Sequence, residues 1–332
     1  MRQRTLVRAG LIAGLALCFP VMSMQLQLTA AQQPGQQTAA PAAQRGGRGA
    51  DPRVQQRTYL FSETNEQLPY AVFVSSKVSK DKKNPLIIAL HGLNGNQNTL
   101  MRGDAVELAE AGGYILVGPM GYNSSGWYGA PGRGARGPAN GADGAGAPQR
   151  GAAAGANPAG APGAGAGAGR GPIGGRGAGG GGTAVTDPAK VNQLAEIDVM
   201  NVLAMIRKEF NVDERRTYLM GHSMGGAGAI FLGVKHAPNW AAIAAIAPAT
   251  SPAGLTPDNF SLEPATSIPV IVVQGDADTL VPVAGTRRWI EKMKDLKMTH
   301  QYVEVPGGDH GSVIGTGMPD IFAFFNKYSK GR

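Results

Sequence analysis

The chain has 332 residues, 50 of them Gly and 23 Pro, with 31 Lys+Arg against 23 Asp+Glu. Residues 1–50 hold five Arg and no acid, and residues 129–182 hold five Arg and one Asp, which leaves −1 of the +8 total for the other 228 residues. That distribution excludes a nucleic-acid face of clustered Lys/Arg on the folded part, and 228 residues suit one α/β domain rather than two.

Residues 1–31 read as a signal peptide. Arg2, Arg4 and Arg8 form a basic start, Ala9 to Phe19 an apolar run, and Thr29, Ala30 and Ala31 a small-residue cleavage region. The apolar run is shorter than the roughly 20 residues a permanent span needs. The expectation is a secreted or periplasmic protein without a stable membrane anchor after cleavage. Cys18, the single cysteine, follows Leu17, so the lipid-attachment pattern is missing. Residues 32–50 are Gln, Ala, Pro, Gly and Arg with almost nothing to bury, and read as a flexible tether. Residues 51–332 read as a single α/β domain, interrupted at 129–182 by an insert with 22 Gly and 16 Ala. Such a composition buries too little apolar surface to order itself, so disorder there and near-normal activity after its deletion are expected.

Within the domain, Tyr70–Ser75 reads as an early strand. Leu86–Leu90 is a continuous apolar run, the pattern of a strand buried on both faces. A short helix over Ala105–Ala111 ends at Gly112-Gly113, and Tyr114–Val117 is the next strand. Asp187 and Pro188 open a long amphipathic helix over Ala189–Phe210. Then follow a strand at Arg216–Met220, a helix at Met224–His236, and strands at Ala241–Ala247 and Val270–Val273. A helix at Thr286–Lys297, a strand at Gln301–Val305 and a final helix at Pro319–Tyr328 complete the order. Alternating strands and helices predict a mainly parallel, twisted sheet with helices on both faces. The site is then expected beyond the carboxyl ends of the strands.

Gly221-His222-Ser223-Met224-Gly225 fits G-x-S-x-G between a strand and a helix, the context in which that motif exposes a nucleophilic serine. The glycines leave room where strand, turn and helix crowd together. The Met224 N–H at the helix start is placed to hold an oxyanion. Ser223 needs a base and an acid, in the chain order Ser, Asp or Glu, His. Of the histidines after it, His236 sits at a helix end and His300 opens a strand at the opposite sheet edge. His310 lies in the loop directly after QYVEV, and is the expected base. Asp276 and Asp278 follow the strand PVIVV, and Asp309 adjoins His310. Asp278 is favoured because it lies two residues further into its loop, whereas Asp276 suits a turn. The pairing predicts activity that rises through about pH 6–8 as the imidazole deprotonates.

The segments LIIALHGLNGN, GYNSSGWYG, YLMGHSMGG, QGDADTLVP and GGDHG resemble the α/β-hydrolase superfamily over Tyr59–Tyr128 and Thr183–Tyr328. Within it the chain is similar to secreted carboxylesterases related to polyhydroxybutyrate depolymerases and feruloyl esterases, and to the catalytic domain of prolyl-oligopeptidase-type peptidases. The resemblance implies an α/β-hydrolase fold. It also implies an oxyanion donor at the Leu93 backbone N–H after His91-Gly92, and Asp278 as the acid in G-x-x-D-x-x-V-P. The implied activity is hydrolysis of small or oligomeric carboxylic esters through an acyl-enzyme. Peptidase or amidase action, polyester depolymerisation and a non-catalytic binding module are the alternatives. His91 reads as a loop-shaping residue. Tyr122, Trp127 and Tyr128 are expected to line the substrate pocket. Neither a metal nor a cofactor is expected, because no ligand spacing or nucleotide-binding loop is present.

Overall fold

The computed structural model describes residues 51–130, 180–250 and 255–331. The proposed signal peptide, the tether, Cys18 and all but the two ends of the insert lie outside them.

Eight strands form one sheet in the order β1-β2-β4-β3-β5-β6-β7-β8. They are β1 (Gln55–Phe61), β2 (Glu66–Val74), β3 (Asn84–Leu90), β4 (Ile115–Pro119), β5 (Val212–His222), β6 (Ala242–Ile246), β7 (Val270–Gly275) and β8 (His300–Val305). The β1/β2 and β2/β4 pairs are antiparallel and every other pair is parallel. The helices are α1 (Asp104–Gly112), α2 (Pro188–Glu209), α3 (Met224–Lys235), α4 (Val283–Asp295) and α5 (Ser312–Lys327).

Alternation along β3 shows why the fold has two cores. Leu86, Ile88 and Leu90 pack with α2, α3 and α4 on one face, while Ile87 and Ala89 pack with α1 and α5 on the other. Every residue of β3 is buried, so a strand covered on both faces reads as unbroken apolar sequence.

Two elements depart from the sequence reading. The edge strand β1, QQRTYLF, was not expected. Of its residues only Phe61 is fully buried, so it carries little apolar signal and is held by its ladder to β2 from Gln55↔Val72 to Phe61↔Glu66. Helix α5 begins at Ser312 rather than at Pro319. Its first two turns contain Gly315 and Gly317, poor helix formers, yet Gly317 lies so close to β7 that a Cβ there would sit 2.8 Å from Val273 Cγ1. Contact with the sheet, not local propensity, sets that start.

Candidate active site

Strand β5 ends at His222 and α3 begins at Met224, so Ser223 alone makes the turn. Its backbone is left-handed, with φ 58° and ψ −118°, a strained state that a surrounding structure has to enforce. The enforcement comes from close packing. A Cβ on Gly221 would lie 2.0 Å from the Gly225 carbonyl oxygen, and one on Gly225 would lie 2.3 Å from that of Leu90. The Ser223 N–H bonds the Ile246 carbonyl on neighbouring β6. The hydroxyl is thereby raised at the carboxyl edge of the sheet.

His310 comes from the loop after β8, and Asp278 from the loop after β7. His310 Nε2 lies 2.8 Å from Ser223 Oγ, and His310 Nδ1 lies 2.7 Å from Asp278 Oδ2. Asp278 is buried and its second oxygen accepts the Leu280 and Val281 N–H groups at 2.9 and 2.8 Å. Gln274 Nε2 donates to the same oxygen that faces His310. Burial raises the Asp278 pKa, but the Val281 N–H and the His310 ring outweigh it and hold the carboxyl below its ordinary value. The other two acids have local duties. Asp276 accepts the Gly307 N–H at 2.6 Å, and Asp309 accepts those of Gly311 and Ser312 where α5 starts.

A cleft of about 610 Å³ opens over Ser223, lined by Leu93, Met224, Trp127, Leu280 and His310 among others. The Leu93 N–H donates to no acceptor among the described residues. Met224 is the first residue of α3, where N–H groups lack an intrahelical partner. Leu93 and Leu280 are 52% and 73% exposed, and both stand at the cleft. Large apolar side chains left in water beside a reactive hydroxyl suit a substrate with an apolar part.

His91 is buried beneath this loop, with Nδ1 2.8 Å from the Gly92 carbonyl oxygen and Nε2 2.7 Å from that of Met120. Burial lowers its pKa, and the neutral ring donates to one of the two carbonyls. It braces the turn that carries Leu93.

Of the three aromatic residues expected in the pocket, Trp127 lines the cleft and also a neighbouring cavity of about 510 Å³. Tyr122 and Tyr128 line neither cavity, which corrects their placement. Both are fully buried. Tyr122 donates from its hydroxyl to Glu66 and accepts the Val185 N–H, and Tyr128 donates to the His91 carbonyl. Their rings belong to the hydrophobic core, and both residues take left-handed backbone, with φ 62° and 56°. The same region ties down both ends of the insert. Asn192 bridges the Trp127 N–H and the Ala130 carbonyl, and Glu66 accepts the N–H groups of Thr183 and Ala184.

His222 and Asp198 escaped sequence reasoning. His222, the x before Ser223, donates from Nε2 to the His310 carbonyl at 2.8 Å. Burial pushes its pKa down to about 4. Its position inside the serine motif was the available signal, but nothing in one dimension shows that it reaches residue 310. Asp198, buried within α2, accepts the Gly121 and Tyr122 N–H groups and the Tyr59 hydroxyl. Burial raises its pKa to about 6. Among the described residues no cluster of His, Cys, Asp and Glu is arranged to hold a metal, and no helix is long and apolar enough to cross a membrane.

Residues 199–314 match a family model described as a putative esterase, a stretch that contains Ser223, Asp278 and His310. No curated protein matches the chain. Solved structures share its fold. A thermostable esterase shares 20% identity at TM-score 0.54, covering 84% of this chain, which spans 64% of that protein's length. An S-formylglutathione hydrolase from Agrobacterium tumefaciens shares 16% identity at TM-score 0.55, covering 82% of this chain and 94% of its own. A ferulic acid esterase from Anaeromyces mucronatus shares 17% identity at TM-score 0.55, covering 86% and 93%. The fold is that of the α/β-hydrolases, and the family match supports carboxylic-ester hydrolysis as the chemistry.

Proposed function

We propose that the protein is a serine carboxylesterase that works through an acyl-enzyme. The observation that carries this reading is the continuous Ser223–His310–Asp278 chain of hydrogen bonds, 2.8 and 2.7 Å long, at the floor of the cleft. Ser223 Oγ attacks the ester carbonyl while His310 Nε2 takes its proton. Asp278 holds the Nδ1–H tautomer and stabilises the imidazolium that forms. The Leu93 and Met224 N–H groups receive the developing oxyanion, and each donor is worth on the order of 3 kcal/mol. His310 then returns the proton to the leaving alcohol. In the second half-reaction it activates water, which releases the acid and restores the serine.

The substrate in this reading is a small or oligomeric ester whose apolar part rests against Leu93, Leu280 and Trp127. Export to the periplasm or beyond is part of the proposal, on the basic, apolar and small-residue order of residues 1–31. The test is labelling with a fluorophosphonate alongside turnover of p-nitrophenyl esters. The expected result is one label at Ser223 and turnover abolished by Ser223→Ala. A folded wild-type protein that takes no label and cleaves no ester overturns the reading.

A further inference from the structure

Most arginines in the described part of the protein are held by a partner. Eight arginines are described, and seven hold a carboxylate, an amide or a backbone carbonyl, such as Arg53 on Asp51, Arg287 on Glu304 and Arg288 on Asp258. Arg102 alone has no hydrogen bond or ion pair among the described residues, and it lines the cleft above Ser223. Among the described residues no acidic side chain lines the cleft with it. Asp278 is buried behind His310 and already accepts from Leu280, Val281, Gln274 and His310. Asp104, two residues beyond Arg102, lines an adjoining hollow that Arg102 also borders, yet the two make no ion pair.

We propose that Arg102 selects esters that carry a carboxylate, so that the preferred substrate of this site has an ester group, an apolar portion and an anionic end. The inference rests on the serine-esterase reading and specifies its substrate class. Beside the apolar Leu93, Leu280 and Trp127, the unpaired guanidinium places a positive charge at the opening. The planar fork matches a carboxylate in two parallel hydrogen bonds. Thr99 lines the same cleft, where its hydroxyl accepts the Asn96 N–H and has its own proton uncommitted among the described residues. It offers a second donor to the same anion. The reaction is unchanged: water cleaves the ester bond, and the released acid or alcohol retains the carboxylate.

The experiment measures kcat/KM for matched charged and neutral esters. On the acyl side, the p-nitrophenyl monoesters of succinic, glutaric and adipic acid are compared with p-nitrophenyl butyrate. On the alcohol side, 4-acetoxybenzoate is compared with phenyl acetate. In at least one set the charged-to-neutral ratio falls roughly fivefold in Arg102→Gln, and further in Arg102→Glu, the size expected of one solvent-exposed ion pair. The responding set identifies which half of the ester bears the anion. Arg102→Lys keeps most of the ratio, and in the wild type the ratio shrinks as salt rises from about 0.02 to about 0.5 M. Arg215→Gln removes the same charge at the amino end of β5 and leaves the ratio in place. If neither ratio moves with Arg102→Gln, Arg102→Glu or salt while neutral esters are still cleaved, the inference fails and the esterase reading stands. If the wild type cleaves no neutral ester, the esterase reading fails first.

Discussion

His222 and His310 are joined side chain to backbone: His222 Nε2–H donates to the His310 carbonyl oxygen at 2.8 Å, and the two rings lie 4.7 Å apart. His222, which precedes Ser223, thus holds the loop that carries His310. Because burial keeps His222 neutral down to about pH 4, the donated proton is present throughout the range in which a histidine base works. His222→Ala leaves the His310 carbonyl unpaired and opens space beside the imidazole. An unmet buried acceptor costs about 1–3 kcal/mol, so kcat should fall by roughly tenfold or more with KM little changed. Gln carries a donor at similar reach, and His222→Gln should recover part of the loss. Steady-state kinetics on p-nitrophenyl butyrate, with melting curves to confirm folding, decide the point; wild-type kcat in His222→Ala would refute the positioning role.

Three carboxylates stand near His310 in sequence or space, and the bonds they make separate them. Asp278 faces the ring, while Asp276 binds the Gly307 N–H and Asp309 binds the first N–H groups of α5. Asp278→Asn retains an acceptor for Leu280 and Val281 but disturbs the tautomer of His310. It should lower kcat by ~10³–10⁴. Asp309→Asn retains an acceptor for the Gly311 and Ser312 N–H groups and should leave kcat nearly unchanged. Equal losses in the two variants would contradict the assignment of Asp278.

Much of this site was legible in one dimension for physical reasons. A strand buried on both faces, such as β3, has to be apolar throughout. A nucleophile raised on a strand-to-helix turn needs glycine on either side, because backbone atoms of Gly225 and Leu90 occupy the space a Cβ would take. What stayed hidden depends on partners distant in sequence. Strand β1 exists through its ladder to β2, and the start of α5 through packing on β7. Tyr122 and Tyr128 follow β4 as cleft residues would, yet hydrogen bonds that they donate to Glu66 and His91 fix them in the core. Arg102 has no local signature at all. Its distinction is the absence of a partner among the described residues, which only three dimensions reveal.

Gly225 tests the packing argument directly. Its virtual Cβ lies 2.3 Å from the Leu90 carbonyl oxygen and 2.6 Å from that of His91. Those are backbone atoms of β3 and of the turn that holds Leu93, and they cannot rotate away. Gly225→Ala must therefore push α3 from the sheet or move the turn that carries Leu93. A loss of stability on the order of 3 kcal/mol is expected, together with a fall in kcat. Gly180, which has nothing within 4 Å of a virtual Cβ, is the control: Gly180→Ala should leave both unchanged. A Gly225→Ala protein with wild-type melting temperature and kcat would show that the turn has slack.

Two buried groups give the stability of the protein opposing responses to pH. Asp198, raised from 3.8 to about 6, binds its proton more tightly when folded. Its contribution is full below pH 3.8 and is lost as pH rises to about 6, a change of roughly 3 kcal/mol. His222, lowered from 6.5 to about 4, binds its proton more tightly when unfolded. Its contribution is full above pH 6.5 and is lost as pH falls toward 4, again roughly 3 kcal/mol. Between pH 4 and 6 the two nearly cancel. Asp198→Asn can still accept the Gly121 and Tyr122 N–H groups through its oxygen while its amide faces the Tyr59 hydroxyl, so the fold is retained. With that group silenced His222 acts unopposed, and the difference in stability between variant and wild type should grow more favourable as pH rises from 4 to 6. His222→Gln should give the reverse slope. Urea denaturation of the three proteins at pH 4, 5, 6 and 7 measures both differences, and the common contribution of the other carboxylates drops out. Parallel curves for all three would mean that neither group titrates with the shift its burial imposes.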